Sequence, residues 1–154
     1  MTITEVRRAT GQDLETIQKI ARETIDKSYR SFLGDEAVDW YINSGESDKE
    51  LASYLDRCDV LTLDNEIAAF TIYFDDLIHL MMVDVKLHRS GLGSTLLAHS
   101  GAQLFSRGHQ VIRLETFQGN TQAINFYKKN HWLVVKEEKD EAFGFVRVFF
   151  EKRA

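Results

Sequence analysis

The stretch Leu77 to Val85 reads Leu-Ile-His-Leu-Met-Met-Val-Asp-Val, apolar at successive rather than alternate positions, and it constrains the fold more than any other feature. A strand with one face in water alternates, whereas a strand apolar on both faces must be covered on both. This one belongs in the middle of a sheet with helices packed on each side. Its neighbours agree. Asp59 to Asp64 and Ile67 to Phe74 flank Asn65-Glu66 as a hairpin, and Leu77 to Val85 follows after Asp75-Asp76 as a third antiparallel strand. Earlier, Ile3 to Arg8 alternates as a strand, and Thr10 with Asp13 forms a capping box ahead of a helix carrying Leu14, Ile17, Ala21 and Ile25 on one face. Ser28 to Arg57 is helical but interrupted at Gly34 and Gly45. Beyond the central strand come a helix from Gly91-Leu-Gly93 to Arg107, a strand Val111 to Thr116, and a loop through Gly119-Asn120. A helix with Ala123, Phe126, Tyr127 and Asn130 on one face follows. Strands near Trp132 to Glu138 and Phe145 to Glu151 close the chain, with Glu137 to Glu141 as a polar loop between them. The order predicts an α/β (α+β) fold, a mixed sheet with helices packed on it.

At 154 residues the chain is long enough for one real core and short for two, and without a composition shift, repeat or proline linker a single domain over 1–154 is expected. Nineteen basic against 24 acidic side chains give a net charge of −5, with no Lys/Arg block, which argues against nonspecific nucleic-acid binding. The charged start and the lack of any apolar run near the roughly 20 residues that span a bilayer point away from secretion and membranes. The lone Cys58 rules out an intramolecular disulfide framework and fits a reducing compartment, so a cytoplasmic protein is expected. Cys58 has no His or acid at a recognisable spacing and reads as a buried structural thiol. Histidines 79, 88, 99, 109 and 131 form no ligand pair, so no metal is expected.

The segment Lys86-Leu-His-Arg-Ser-Gly-Leu-Gly93 joins the central strand to a helix, aiming backbone N–H groups and a helix N-terminus into one loop that suits anionic phosphate. A tight turn with no ligand fits the same residues. A Walker loop is excluded, because no Gly-Lys-Ser or Gly-Lys-Thr occurs. A dinucleotide fingerprint is disfavoured: Leu96 stands at its third small position, and about sixty residues remain after the loop, too few for a further substrate domain.

Two separated segments resemble the GNAT superfamily of acyl-CoA N-acyltransferases. Val83-Asp-Val85 followed by His88-Arg-Ser-Gly91-Leu-Gly93 is similar to the family's Val-x-Pro and Gln/Arg-x-x-Gly-x-Gly/Ala. Asn120-Thr-Gln-Ala123-Ile-Asn-Phe126-Tyr127-Lys-Lys-Asn-His131-Trp132 is similar to its Asn-x-x-Ala-x-x-Phe-Tyr-Glu-Lys-x-Gly-Phe. Val85 stands for the proline, His88 for Gln/Arg and His131 for a glycine. The resemblance implies a mostly antiparallel sheet of about seven strands with helices on both faces, splayed between the fourth and fifth strands. It further implies acetyl-CoA as co-substrate, its pantetheine arm bonded to the backbone of Val83 and Val85. The pyrophosphate would rest on the amides of His88, Arg89, Ser90, Gly91, Leu92, Gly93 and Ser94. Arg89 adds a positive charge or is a solvated turn residue; Asn120 touches the cofactor or only caps its helix.

Acyl transfer needs an amine that loses its proton, a stabilised oxyanion and a leaving thiolate. Backbone N–H near Val83 suits the oxyanion. Tyr127 matches the family's Tyr near the CoA sulfur and is expected to act as general acid; by periodicity alone it would be a core aromatic. Two residues compete as base. Glu115, twelve residues before Tyr127, resembles the pair found in ribosomal-protein N-terminal alanine acetyltransferases, while an ion pair with Arg113 is its structural alternative. His79 is expected on the same strand face as Met81 and Val83, an imidazole suited to proton transfer at neutral pH or else a core residue. The resemblance implies that the acceptor is gripped at Ser28 to Arg57, where Tyr29, Phe32, Trp40 and Tyr41 mingle with Asp35, Glu36, Asp39 and Glu46. Aromatic faces and carboxylates suit a protonated amine of a small molecule or peptide; an amphipathic helix pair with its aromatics in the core and its acids in water fits the same residues. Three functions stay open: an acetyl-CoA-dependent N-acetyltransferase, a non-catalytic acyl-CoA-binding or interaction module, and a protein N-terminal acetyltransferase. A homodimer is compatible with a domain of this size.

Overall fold

The computed structural model describes residues 1–142 and 144–154. Seven strands, β1 (Thr4–Arg8), β2 (Cys58–Leu63), β3 (Glu66–Phe74), β4 (Leu77–Val83), β5 (Val111–Phe117), β6 (Leu133–Lys139) and β7 (Val146–Arg153), form one sheet in the order β1-β2-β3-β4-β5-β7-β6. The strand with two apolar faces, β4, is the middle one. Every neighbouring pair is antiparallel except β4 and β5, which are parallel and share a single register position, Leu77 with Arg113. At that end Arg113 Nε donates to Asp76 Oδ1 at 2.8 Å; beyond it the strands diverge.

Helix α1 (Leu14–Ser28) starts from the expected capping box: Asp13 Oδ2 accepts the Thr10 N–H at 2.8 Å, and the same carboxylate takes Arg7 at 2.8 and 3.1 Å. Ile17, Ile20, Ala21 and Ile25 recur at helical spacing and are buried against Val60, Phe70, Ile72 and Met82 of the sheet. Each large side chain buried in this way contributes roughly 1.5–3 kcal/mol. Three short helices, α2 (Arg30–Leu33), α3 (Asp35–Asn43) and α4 (Glu46–Ser53), cover the same face. Gly34 and Gly45, at φ of 88° and 85°, make the breaks between them, in backbone conformations that side chains disfavour. Helix α5 (Leu92–Ser106) covers the other face, where Leu97 and Leu104 join Tyr73, Ile78, Ile112 and Leu114; α6 (Thr121–Lys129) extends this cluster with Ile124, Phe126 and Tyr127.

Four local expectations are corrected. The hairpin turn is Asp64-Asn65 rather than Asn65-Glu66, because both residues take positive φ, 49° and 71°, which Asp and Asn tolerate. β4 ends at Val83, not Val85: Asp84 leaves the sheet and its carboxylate accepts the Lys86 N–H at 3.0 Å, capping a 3-10 turn over Val85–Leu87. Glu137 to Lys139 lie within β6, whose far side has no neighbour to desolvate polar side chains. The fourth concerns His79. Ile72 pairs with Leu80 and Tyr73 with Ile78, so His79 is the extra residue of a β-bulge. The bulge restarts the alternation: Leu80 and Met82 face α1, whereas Met81 and Val83 face α5. His79 therefore parts from Met81 and Val83 and turns towards α4.

Candidate active site

The divergence of β4 from β5 opens the middle of the sheet, and strand geometry decides which backbone groups face it. The Asp84 N–H bonds to the Ala68 carbonyl at 2.8 Å, on the β3 side. Alternation then aims the N–H and C=O of Val83 and Met81 at the opening. His88 Nε2 donates to the Val83 carbonyl at 2.9 Å, leaving the Val83 N–H available.

The opening leads to the start of α5. Gly91 is its N-cap, at φ 85°, and no side chain caps the helix, so the amides of Leu92, Gly93 and Ser94 lack intrahelical acceptors. A Cβ built on Gly91 would meet nothing within 4 Å, while one on Gly93 would meet Phe126 Cζ at 3.2 Å and Val83 Cγ2 at 3.7 Å. The two glycines thus serve different ends: Gly91 permits the turn and leaves its outer side open, and Gly93 lets α5 approach α6 and β4. Leu92 is buried in the core below and anchors the loop. Arg89 is exposed at φ 66°, an unusual backbone for a residue other than glycine, and Ser90 Oγ donates to the Leu87 carbonyl. Uncapped amides and a helix N-terminus attract anions.

Tyr127 of α6 packs on Phe126 and Phe150 at ring separations of 5.5 and 5.4 Å. Burial pushes its phenol well above the ordinary value, and nearby Tyr29 adds to the effect. Tyr29 itself, at the end of α1, is pushed up to about 12 by burial and by the charge of Glu50. Glu50 of α4 gathers the polar groups on this side. Its Oε1 lies 2.9 Å from His79 Nε2 and its Oε2 accepts the Tyr41 hydroxyl. The bond to His79, aided by that from Tyr41, outweighs burial and holds the Glu50 carboxyl below its ordinary range. The rings of Tyr54 and Phe74, at 4.7 and 5.7 Å, wall in the imidazole.

A family model described as the acetyltransferase (GNAT) family matches residues 15–132, more than half of the chain. The chain belongs to the GNAT acetyltransferase family. Solved GNAT structures share its fold over nearly its whole length. A GCN5-related N-acetyltransferase from Rhodopseudomonas palustris is 14% identical, with a TM-score of 0.84 covering 97% of this chain and 95% of that one. The PaiA N-acetyltransferase from Thermoplasma acidophilum, solved with coenzyme A, is 21% identical, with a TM-score of 0.80 and 99% of each chain covered. A ribosomal-protein alanine N-acetyltransferase from Escherichia coli is 20% identical, at 0.71 with 98% and 94% covered.

Within this GNAT fold the residues singled out from sequence are dispersed. Val83 ends β4 at the opening, and the loop His88 to Ser94 joins that strand to α5. Val85 lies in the 3-10 turn past the strand, and Met81 is a further residue whose backbone faces the opening. Asn120 caps α6 by accepting the Ala123 N–H at 3.3 Å, and its amide donates to Thr116 Oγ1 at 3.3 Å. Glu115 and Tyr127 belong to opposite faces of β5. Leu114 packs with Tyr127, whereas Glu115 shares its face with Phe117, whose ring lies tilted 5.9 Å from that of Phe32 of α2. The partner of Glu115 is Arg147 of β7, at 3.2 Å, not Arg113, which is committed to Asp76.

The early helices divide in the same way. Tyr29 and Tyr41 join the cluster around Glu50, but Trp40 is 63% exposed, and Asp35 and Asp39 are held with Asp26 by Arg30. Glu50 was missed by sequence reasoning. Its placement four residues before Tyr54 on one helix face was the available signal, and nothing local tied either residue to β4. Cys58 is buried as expected, and burial, with the charge of Asp59 adding, pushes its thiol up to about 12. Among the described residues no cluster of His, Cys, Asp and Glu could hold a metal, and no helix is long and apolar enough to cross a membrane.

Proposed function

We propose that the protein is an acetyl-CoA-dependent N-acetyltransferase that moves the acetyl group directly to a primary amine of a small molecule or peptide. The observation that carries this reading is the single-rung join of β4 to β5, which leaves the backbone of Met81 and Val83 facing the opening, on a strand that leads through the glycine loop into the uncapped N-terminus of α5. In this reading the Val83 N–H bonds the pantetheine arm as an added strand would. The amides of His88 to Ser94 hold the pyrophosphate, with Arg89 supplying charge and Asn120 flanking the site. Tyr127 stays protonated through the physiological range, because burial holds its phenol well above its ordinary value, and it donates a proton to the leaving thiolate. Backbone N–H on β4 stabilises the oxyanion. Two groups offer themselves as base: Glu115, ion-paired with Arg147, and His79 at the bulge. The acceptor approaches from the α2–α4 side, where the Glu50 carboxylate among Tyr29, Tyr41 and Tyr54 favours a cation.

Calorimetric titration with acetyl-CoA, with NAD as the control ligand, followed by an amine screen read by thiol release, tests the proposal. Saturable binding of acetyl-CoA alone and turnover with at least one amine are expected. Binding without turnover of any amine would make the protein an acyl-CoA-binding module, and absence of binding would reduce the glycine loop to a turn.

A further inference from the structure

The Glu50 carboxylate uses both oxygens, one for His79 Nε2 and one for the Tyr41 hydroxyl. An ionised carboxylate only accepts hydrogen bonds, so Nε2 must carry the proton of the neutral imidazole. The lone pair is then on Nδ1. Among the hydrogen bonds of the described residues none involves Nδ1, and the His79 side chain is 27% exposed. The bulge that turns His79 out of register leaves it two residues beyond Leu77, the last point at which β4 and β5 are joined, where the opening begins. Tyr54 and Phe74 fix the plane of the ring. A carboxylate on one ring nitrogen and a free lone pair on the other is the arrangement by which an acid orients a histidine and stabilises its imidazolium.

We propose that Glu50 is a positioning residue that holds His79 as the proton acceptor for the incoming amine. This rests on the acetyltransferase reading given above and decides between its two bases. The amine enters as its cation and gives its first proton to water; the nitrogen lone pair so freed forms the N–C bond to the acyl carbon, and the C–S pair leaves on sulfur. The surplus proton on nitrogen passes to Nδ1, directly or through one water, and sulfur takes a proton from Tyr127. Imidazolium and phenolate return to neutrality by exchange with water, so the products are the amide and the thiol. The Glu50 charge stabilises the imidazolium as it forms.

The test is steady-state kinetics, with the amine found in the screen, on Glu50→Gln, His79→Gln and the double variant. Acetyl-CoA titration and thermal melting accompany each. The glutamine amide can offer its NH2 to Nε2, favouring the tautomer with hydrogen on Nδ1. Glu50→Gln is therefore expected to lower kcat on the order of 10²-fold, with acetyl-CoA affinity unchanged and the melting temperature lowered by no more than about 4 °C. His79→Gln should fall by a similar factor, and the double variant no further, since the two residues act as a unit. Independent losses that multiply in the double variant, or a Glu50→Gln enzyme within about twofold of wild type, would overturn the pairing. Should Glu50→Gln melt much earlier than wild type, His79→Gln alone decides, because full activity there refutes the inference. If amines are acetylated but neither variant matters, only the pairing falls and Glu115 becomes the base. If no amine is acetylated by the wild type, the acetyltransferase reading falls and takes this inference with it.

Discussion

Gly119 sits in the loop between β5 and α6, and its substitution by alanine offers a severe test of how the early helices are seated. A Cβ at this position would overlap the Cβ of Phe32 and stand 3.1 Å from its Cγ and 3.5 Å from its Cα. A clash with the end of a side chain can be relieved by a rotamer change, but the Cβ of Phe32 is fixed by the backbone of α2. Either α2 or the loop must shift, and overpacking of this kind costs about 1–3 kcal/mol. At about 2 kcal/mol the melting temperature should fall by roughly 4–8 °C for a chain of this size. The obstructing atom makes the prediction sharper. Phe32→Ala retains the Cβ, so Gly119→Ala should cost nearly as much in that background. Phe32→Gly removes it, and there the cost should fall below about 0.5 kcal/mol, a coupling measurable by a double-mutant cycle. Gly11→Ala is the control, because its Cβ would meet nothing within 4 Å. The assay is thermal and urea denaturation followed by circular dichroism. A Gly119→Ala protein melting within about 1 °C of wild type would refute the close seating of α2 on the loop.

Two further outcomes are expected. Tyr127→Phe should lower turnover on the order of 10²-fold with acetyl-CoA affinity unchanged; thiol release and calorimetry check this, and an unchanged rate would remove Tyr127 from its role. Asp13 is held at about 2, against 3.8 ordinarily, chiefly by the hydrogen bond from Arg7. A depressed carboxyl stabilises the fold fully above the unfolded value and loses that contribution as pH falls from about 4 to about 2. Urea midpoints at pH 7, 4 and 3 should therefore drop more steeply for the wild type than for Asp13→Asn, and parallel pH curves would refute the assignment.

The sequence showed its local chemistry well. The capping box at Thr10 and Asp13, the breaks at Gly34 and Gly45, and the central place of β4 each depend on residues close together in the chain or on a strand's own pattern. What stayed hidden depends on register between strands or on partners far apart. The bulge at His79 is a matter of counting β3 against β4, and a one-residue error there reverses the face of every side chain that follows. Arg113 and Glu115 looked like a pair two residues apart on one face. Asp76, 37 positions away, and Arg147, 32 positions away, claim them instead. The loop before α5 was legible as a turn from strand into helix, but the differing tasks of Gly91 and Gly93 emerge only once Phe126 is in place.

The single rung between Leu77 and Arg113 makes the sheet two plates hinged at one end. One plate is β1 to β4 and the other β5, β7 and β6. Helix α5 also ties the plates, its Leu97 and Leu104 lying in one cluster with Ile78 of β4 and Ile112 and Leu114 of β5, as does Phe32 of α2 against Phe117. Each plate keeps its own ladders. On the proposed function, a ligand bonded to the edge of β4 would supply the rungs the protein lacks, and the assembled sheet would be stiffer than the protein alone. The slot between the plates would in this sense be an unfinished part of the fold, completed only while the ligand is held.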